Sequence, residues 1–223
     1  LLHRAYSLKK GDKVLYHAAA GALGQILCPW ANSIGAEIIG TVGSKEKEEI
    51  AKKNGCHHVI NYTDKDFVEE VEKIVGKNGI DVVYDGVGLK TFEGSIEVLK
   101  IRGMMVAFGN ASGYVDTIDV KKHINAKGLF FTRPSIAHYT IERDELLESA
   151  KKVFNAVLSG KFKIEISKKY SLDEVKQAHE DLEGIINYMV TTVFLCNFLF
   201  FFRAYSPNNF CTNRIRPRTQ YLS

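Results

Sequence analysis

A chain of 223 residues can bury a sizeable core without help from disulfides or metals, and 45% hydrophobic with 25% charged residues excludes a largely disordered chain. The net charge of +4 comes from the end of the chain: residues 185–223 hold four Arg and no Lys, Asp or Glu, so residues 1–184 balance at 26 basic and 26 acidic residues and an argument from overall basicity for nucleic-acid binding has nothing there to rest on. The four cysteines, Cys28, Cys56, Cys196 and Cys211, show no C-x-x-C spacing, which speaks against a disulfide framework or a zinc site and for a reducing, cytoplasmic location.

The chain opens at Leu1 and enters an amphipathic stretch at once, which points to a preceding portion outside this sequence. From Asp12 to Phe108, short runs rich in Val, Ile and aromatics alternate with charged stretches of helical periodicity, the pattern of βαβ units and a parallel sheet. Strands are expected at Lys13–His17, Glu37–Thr41, His58–Asn61, Ile80–Tyr84, Met104–Phe108 and Leu129–Thr132, with helices between them. The first helix, Leu23–Ser33, is almost uncharged and should be buried on most sides, with a kink at Pro29. Lys45–Asn54 and Lys65–Gly76 read as charged helices stopped by Asn54-Gly55 and Gly76.

Beyond a turn at Asn110–Gly113 the alternation loosens. A helix is expected over Glu142–Leu158, a strand over Phe162–Ile166, and a last helix ending near Glu183 with Asp173 as its N-cap. At Gly184 the composition changes abruptly. Ile185–Phe202 is apolar and Phe-rich, and at 18 residues just exceeds the minimum for a membrane span of about 17. Asn187, Thr191, Thr192 and Asn197 interrupt it, which favours an atypical terminus over membrane insertion.

The segment after the first strand, His17-Ala18-Ala19-Ala20-Gly21-Ala22-Leu23-Gly24, sets Ala19, Gly21 and Gly24 in the three key places of G-x-G-x-x-G. That loop requires a tight turn, close approach of backbone to pyrophosphate, and close helix-to-strand packing, with the helix N-terminus stabilising phosphate charge. The alternative is a small-residue structural turn. The end of the next strand reads Gly43-Ser44-Lys45-Glu46-Lys47, without the carboxylate that would hold a ribose 2′-hydroxyl. Ser44 and Lys47 could hold a 2′-phosphate there, which favours NADPH over NADH; alternatively Lys45 and Lys47 are solvated residues of a first helical turn. Tyr-x-x-x-Lys, the proton-donating pair of short-chain dehydrogenases, occurs only at Tyr6–Lys10, upstream of the loop, which excludes that family.

The runs HAAAGALG, GTVGSKEK, NGCHHVINY, DVVYDGVG, TFEGS, FGNASG and TRPS, in this order, resemble the cofactor half of the medium-chain dehydrogenase/reductase superfamily, specifically the zinc-independent zeta-crystallin type of NADPH:quinone oxidoreductase. The resemblance covers residues 1–183. It implies an α/β fold with a Rossmann-type doubly wound parallel sheet over residues 1–134, including an N-terminal linking helix. Residues 135–184 would be a remnant returning to the catalytic domain, and residues 185–223 a divergent tail.

By that resemblance, Ala20, Gly21, Ala22 and Leu23 would bind the pyrophosphate, and Gly43, Ser44, Lys47 and Tyr62 would surround the adenosine 2′-phosphate. Phe108, Gly109, Asn110, Phe131 and Thr132 would line the nicotinamide side. Taken alone, Tyr62 reads equally as a residue capping the third strand and Phe108 as a core aromatic. The family carries Ser where this chain has Gly86, which puts one polar contact in question. The implied activity is hydride transfer from NADPH to a small-molecule quinone or enone without a metal; a nucleotide-binding chain without turnover is the alternative. No residue is a credible general acid, and none is assigned a catalytic role. The resemblance further implies a homo-oligomer. RNA binding, known among some relatives, finds support only in Arg214–Arg218.

Overall fold

The computed structural model describes residues 1–166 and 168–186. The sequence beyond Ile186, with most of the apolar stretch and all four of its Arg, lies outside them. Six strands form one sheet: β1 Lys13–His17, β2 Glu37–Val42, β3 His58–Asn61, β4 Ile80–Asp85, β5 Leu99–Ala107 and β6 Phe130–Thr132. All pair in parallel, in the order β3-β2-β1-β4-β5-β6. The order reverses between β1 and β4, and in such sheets the crevice outside the carboxyl ends of the strands at that point receives ligands.

Because successive strand residues face opposite sides, the apolar runs serve two cores at once. Val14, Tyr16, Ile38, Val82, Tyr84 and Val106 pack with Leu27, Cys28 and Ala31 of α1 (Gly24–Ile34). Leu15, Ile39, Val83 and Met105 pack on the other side with Val71 of α3 (Phe67–Val75) and Phe92 and Ile96 of α4 (Phe92–Val98). This is the doubly wound α/β fold expected from the sequence.

Local signals fix several helix ends. The Ser44 side chain caps α2 (Lys45–Lys53), and Asp66 caps α3 by accepting from the Val68 and Glu69 N–H groups. α1 runs through Pro29 as one element and ends at Gly35, whose φ of 93° suits glycine. After β6, α5 spans Arg143–Leu158 and α6 spans Val175–Ile186. No helix among the described residues is long and apolar enough to cross a membrane.

Four expectations are corrected. The N-terminal linking helix does not form: residues 2–5 make only turns, closed by the Tyr6 N–H on the Leu1 carbonyl and the Leu8 N–H on the Leu2 carbonyl. Phe162–Ile166 forms no strand: Phe162 inserts against Trp30, ring centroids 5.4 Å apart, and the segment finds no strand partner. The last helix is preceded by a capping box between Ser171 and Glu174, so Ser171 and not Asp173 is the cap. β5 starts five residues earlier than the expected Met104, at Leu99, crosses a register irregularity between Ile80 and Val82 of β4, and ends at Ala107.

Lys127 fastens the end of α4 to this sheet. Its ammonium donates to the carbonyls of Ile96 at 3.2 Å, Glu97 at 2.5 Å and Leu99 at 2.9 Å, groups that a helix C-terminus otherwise leaves unpaired. Lys127→Met keeps the stem and removes these bonds, and is expected to destabilise the fold by about 2 kcal/mol in urea unfolding. A change within about 0.5 kcal/mol, as for an ordinary surface lysine, would show that the ammonium does not hold α4.

Candidate functional site

The loop between β1 and α1 starts under strain. Ala18 is exposed and takes φ 59°, a left-handed conformation that costs an L-residue about 1 kcal/mol. The positive angle falls on Ala18 and not on Ala19, so Ala in the first motif place is compatible with the turn. The Ala19 N–H donates to the Thr41 carbonyl at 3.0 Å and the Gly21 N–H to the Ala18 carbonyl at 2.9 Å, closing the loop against β2.

Gly24 opens α1 with no room for a side chain: a Cβ there would lie 2.3 Å from the Ala19 carbonyl oxygen. Unlike α2 and α3, α1 has no capping side chain at its start, where Leu23 stands, and no acidic residue in its first turn. Among the described residues the Ala22 and Leu23 N–H groups find no acceptor. The helix N-terminus, with its partial positive charge, is therefore open at half-buried Gly21, Ala22 and Leu23, while Ala20 beneath them is buried and its carbonyl accepts from the Gln25 amide.

At the end of β2 the structure brings Gly43, Ser44, Lys47 and Tyr62 together. The Tyr62 ring lies over Gly43, where a Cβ would meet its hydroxyl at 2.6 Å, and the half-exposed ring is free of the core. Its N–H donates to the Val42 carbonyl, fixing the end of β3 beside the end of β2. The Ser44 hydroxyl accepts from the Lys47 N–H at 3.4 Å and holds the Glu46 carboxyl below its usual range. The half-buried Lys47 makes no ion pair among the described residues.

Phe108, Gly109, Asn110, Phe131 and Thr132 gather at the ends of β5 and β6. Phe108 stacks on Tyr16 at 6.1 Å, and its ring occupies the space over Gly86, where a Cβ would come within 2.9 Å. Gly86 thus makes room for this ring. Gly109 packs its backbone on Gly86, a hypothetical Cβ meeting the Gly86 carbonyl oxygen at 2.4 Å. Asn110 begins the turn closed by Gly113. Thr132 pairs with Val106, and Phe131 leans edge-on against Phe92. A cavity of about 90 Å³ lies here, lined by Asp85, Gly88, Ala107, Gly109, Phe131 and Arg133 among others.

The sequence reading missed a buried polar group beneath these loops. His17 Nδ1 lies 2.9 Å from Thr41 Oγ1 and Nε2 lies 2.9 Å from Ser95 Oγ. Asp85, fully buried, accepts from the Val87 and Gly88 N–H groups and the Thr91 hydroxyl. Its signal was available: His17 and Asp85 each end a strand directly after three apolar or aromatic residues, Val14-Leu15-Tyr16 and Val82-Val83-Tyr84. Burial holds the His17 imidazole below its usual pKa and hence neutral. Cys28 and Cys56 are buried beneath the sheet edge, and their mutual hydrogen bond together with burial pushes the Cys28 thiol up, which makes it unreactive.

A Rossmann-type α/β unit is the class that this strand order and glycine loop define. The family of zinc-binding dehydrogenases matches residues 22–159, and the chain belongs to it, within the quinone oxidoreductase type of the medium-chain dehydrogenase/reductase superfamily. The chain is 46% identical over 185 residues to a 2-haloacrylate reductase of Burkholderia sp, covering 82% of this chain and 56% of the relative. It is 43% identical over 187 residues to quinone oxidoreductase 1 of Escherichia coli K12, covering 82% and 57%. The crystal structure of Escherichia coli quinone oxidoreductase complexed with NADPH superposes with a TM-score of 0.76 at 41% identity, again over 82% and 57% of the two chains. The chain thus spans a little over half the length of these relatives. The family name implies zinc, but among the described residues no three His, Cys, Asp or Glu side chains stand close enough to hold a metal ion, so the residues present do not fit one.

Proposed function

We propose that the chain is the NADPH-binding portion of a cytoplasmic oxidoreductase of the quinone reductase type, acting on a quinone or enone. The observation that carries this reading is the open start of α1 beside a β2 end that offers Ser44, Lys47 and Tyr62 and has no carboxylate on its last strand residues, the Glu46 carboxyl beside Ser44 belonging to the first turn of α2. The backbone of Ala20, Gly21, Ala22 and Leu23 would accept a pyrophosphate without steric interference, because Gly24 draws the helix onto Ala19. Ser44 and Lys47 would hold the 2′-phosphate by hydrogen bond and charge, with Tyr62 against the adenosine. Phe108, Gly109, Asn110, Phe131 and Thr132 would line the nicotinamide ring.

When bound, NADPH supplies a hydride to an electron-poor double bond; the 2-haloacrylate in the Burkholderia relative's name is also a double bond conjugated to a carboxyl group. The residues around the cavity orient the ring and exclude water, and no side chain is assigned to proton transfer. In this reading residues 135–184 return toward a substrate domain, and copies of the chain associate through the sheet edge at β6.

Calorimetric titration of the purified chain tests the reading. NADPH is expected to bind at least about tenfold more tightly than NADH, the discrimination that one or two charge-assisted hydrogen bonds provide. Lys47→Glu is expected to weaken NADPH by about tenfold or more while changing NADH by less than about twofold. Equal weakening of both would remove Lys47 from the 2′-phosphate site, and binding of neither would end the reading.

A further inference from the structure

We propose that His17 is a positioning residue that sets the spacing between the two halves of the dinucleotide crevice; the inference rests on the function proposed above. His17 is the last residue of β1, 1% exposed, and the chain turns directly from it into strained Ala18. On one side it meets Thr41 of β2, whose own carbonyl accepts the Ala19 N–H, so Thr41 holds β1 and the glycine loop with two separate groups. On the other side it meets Ser95 of α4.

The hydrogens select one arrangement. Ser95 Oγ lies 2.7 Å from the Thr91 carbonyl, which can only accept, so the Ser95 hydroxyl donates there and accepts from His17 Nε2–H. His17 Nδ1 is then bare and accepts from the Thr41 hydroxyl. A neutral imidazole with its proton on Nε2 satisfies every group in the chain. Asp85 on β4 is the charged group whose field reaches the ring, and the edge of Phe67 from α3 closes the remaining side at 5.0 Å.

The line continues to the other half of the crevice. The Thr91 hydroxyl donates to Asp85 Oδ2 at 2.7 Å, Asp85 Oδ1 accepts from the Val87 and Gly88 N–H groups, and the Asp85 carbonyl accepts from the N–H groups of Phe108 at 2.8 Å and Gly109 at 3.3 Å. A set of hydrogen bonds, joined through the covalent frames of Thr91 and Asp85, therefore runs from the end of β2, under the glycine loop, to the residues beside the cavity at β5. Side-chain bonds from His17 bridge β1, β2 and α4 where a parallel sheet otherwise has only its backbone ladder. Breaking the line leaves each half-site its own residues and loosens the distance between them, so a ligand that spans both halves loses affinity while one that occupies a single half does not.

The test compares NADPH with adenosine 2′,5′-bisphosphate, which fills only the adenosine half, by calorimetry on the full chain. Wild type is expected to bind both. His17→Gln and Thr41→Val are each expected to weaken NADPH about tenfold and the bisphosphate less than about twofold, and Thr41→Ser, which keeps the hydroxyl, to restore NADPH. Ser95→Ala, which removes only the bridge to α4, gives the same pattern if His17→Gln does not fold. Equal losses for both ligands, or unchanged NADPH binding in folded variants, would overturn the inference and leave the proposed function standing. Failure of wild type to bind NADPH would overturn the function and the inference with it.

Discussion

Gly24→Ala is expected to destabilise the chain by about 3 kcal/mol and to weaken NADPH binding at least tenfold. Helix propensity alone points the other way, since Ala in a helix is favoured over Gly by about 1 kcal/mol. Gly24 has no positive φ to defend, so its conformational freedom gives no reason to keep it. The reason is distance. A Cβ would stand 2.3 Å from the Ala19 oxygen and 2.6 Å from its carbonyl carbon, both backbone atoms that cannot swing away. Either α1 lifts from β1, opening the core at Leu27 and Cys28, or the loop at Ala18 and Ala19 shifts and moves the N–H groups of Ala22 and Leu23. Both outcomes damage the proposed phosphate cradle. Gly21→Ala is the internal comparison: its Cβ would meet only the Ala18 oxygen, at 3.1 Å, and a loss of less than about 1 kcal/mol is expected. Urea unfolding of the two variants decides the matter. If Gly24→Ala is as stable as wild type, close helix-to-strand approach is not what the glycine supplies.

How much of this was legible in the sequence depends on how local the determinant is. β1 and β3 match the expected residues because short apolar runs bounded by Gly, Asp and Asn declare themselves without reference to the rest of the chain. The start of β5 was hidden because Lys100, Ile101 and Arg102 are exposed, and Arg102 takes φ 60°, so neither burial nor backbone regularity marks the segment as a strand. Phe162, Ile164 and Ile166 alternate as a strand should, yet a strand exists only where another offers its edge, and Trp30 takes Phe162 instead. The same division holds in the site. The glycine loop and the end of β2 are contiguous motifs and could be read directly. The hub at His17 joins residues 24 and 78 positions away, and its members look like ordinary polar residues until the sheet brings them together.

Asp85 is the member of that hub whose loss should be most severe. Its carboxylate is fully buried and makes no ion pair among the described residues; two backbone N–H groups and one hydroxyl stabilise its charge. Asp85→Ala leaves the part-buried Val87 and the buried Gly88 N–H groups without acceptors, at about 1–3 kcal/mol each with Val87 at the low end, while the Thr91 hydroxyl can turn to the Gly88 carbonyl already 3.0 Å away. A net loss of about 3 kcal/mol is expected, lowering Tm by roughly 10 °C for a chain of this size. Asp85→Asn should cost much less, about 1 kcal/mol, because its carbonyl oxygen can serve both N–H groups and its amide can donate to Thr91 Oγ1 once that hydroxyl turns to Gly88. The contrast between the two variants separates acceptor geometry from charge. If Asn is as damaging as Ala, the negative charge itself holds the β4 loop in place; if both are mild, the loop that carries Gly86 and Gly88 is held by packing against Phe108, and the carboxylate is incidental to it.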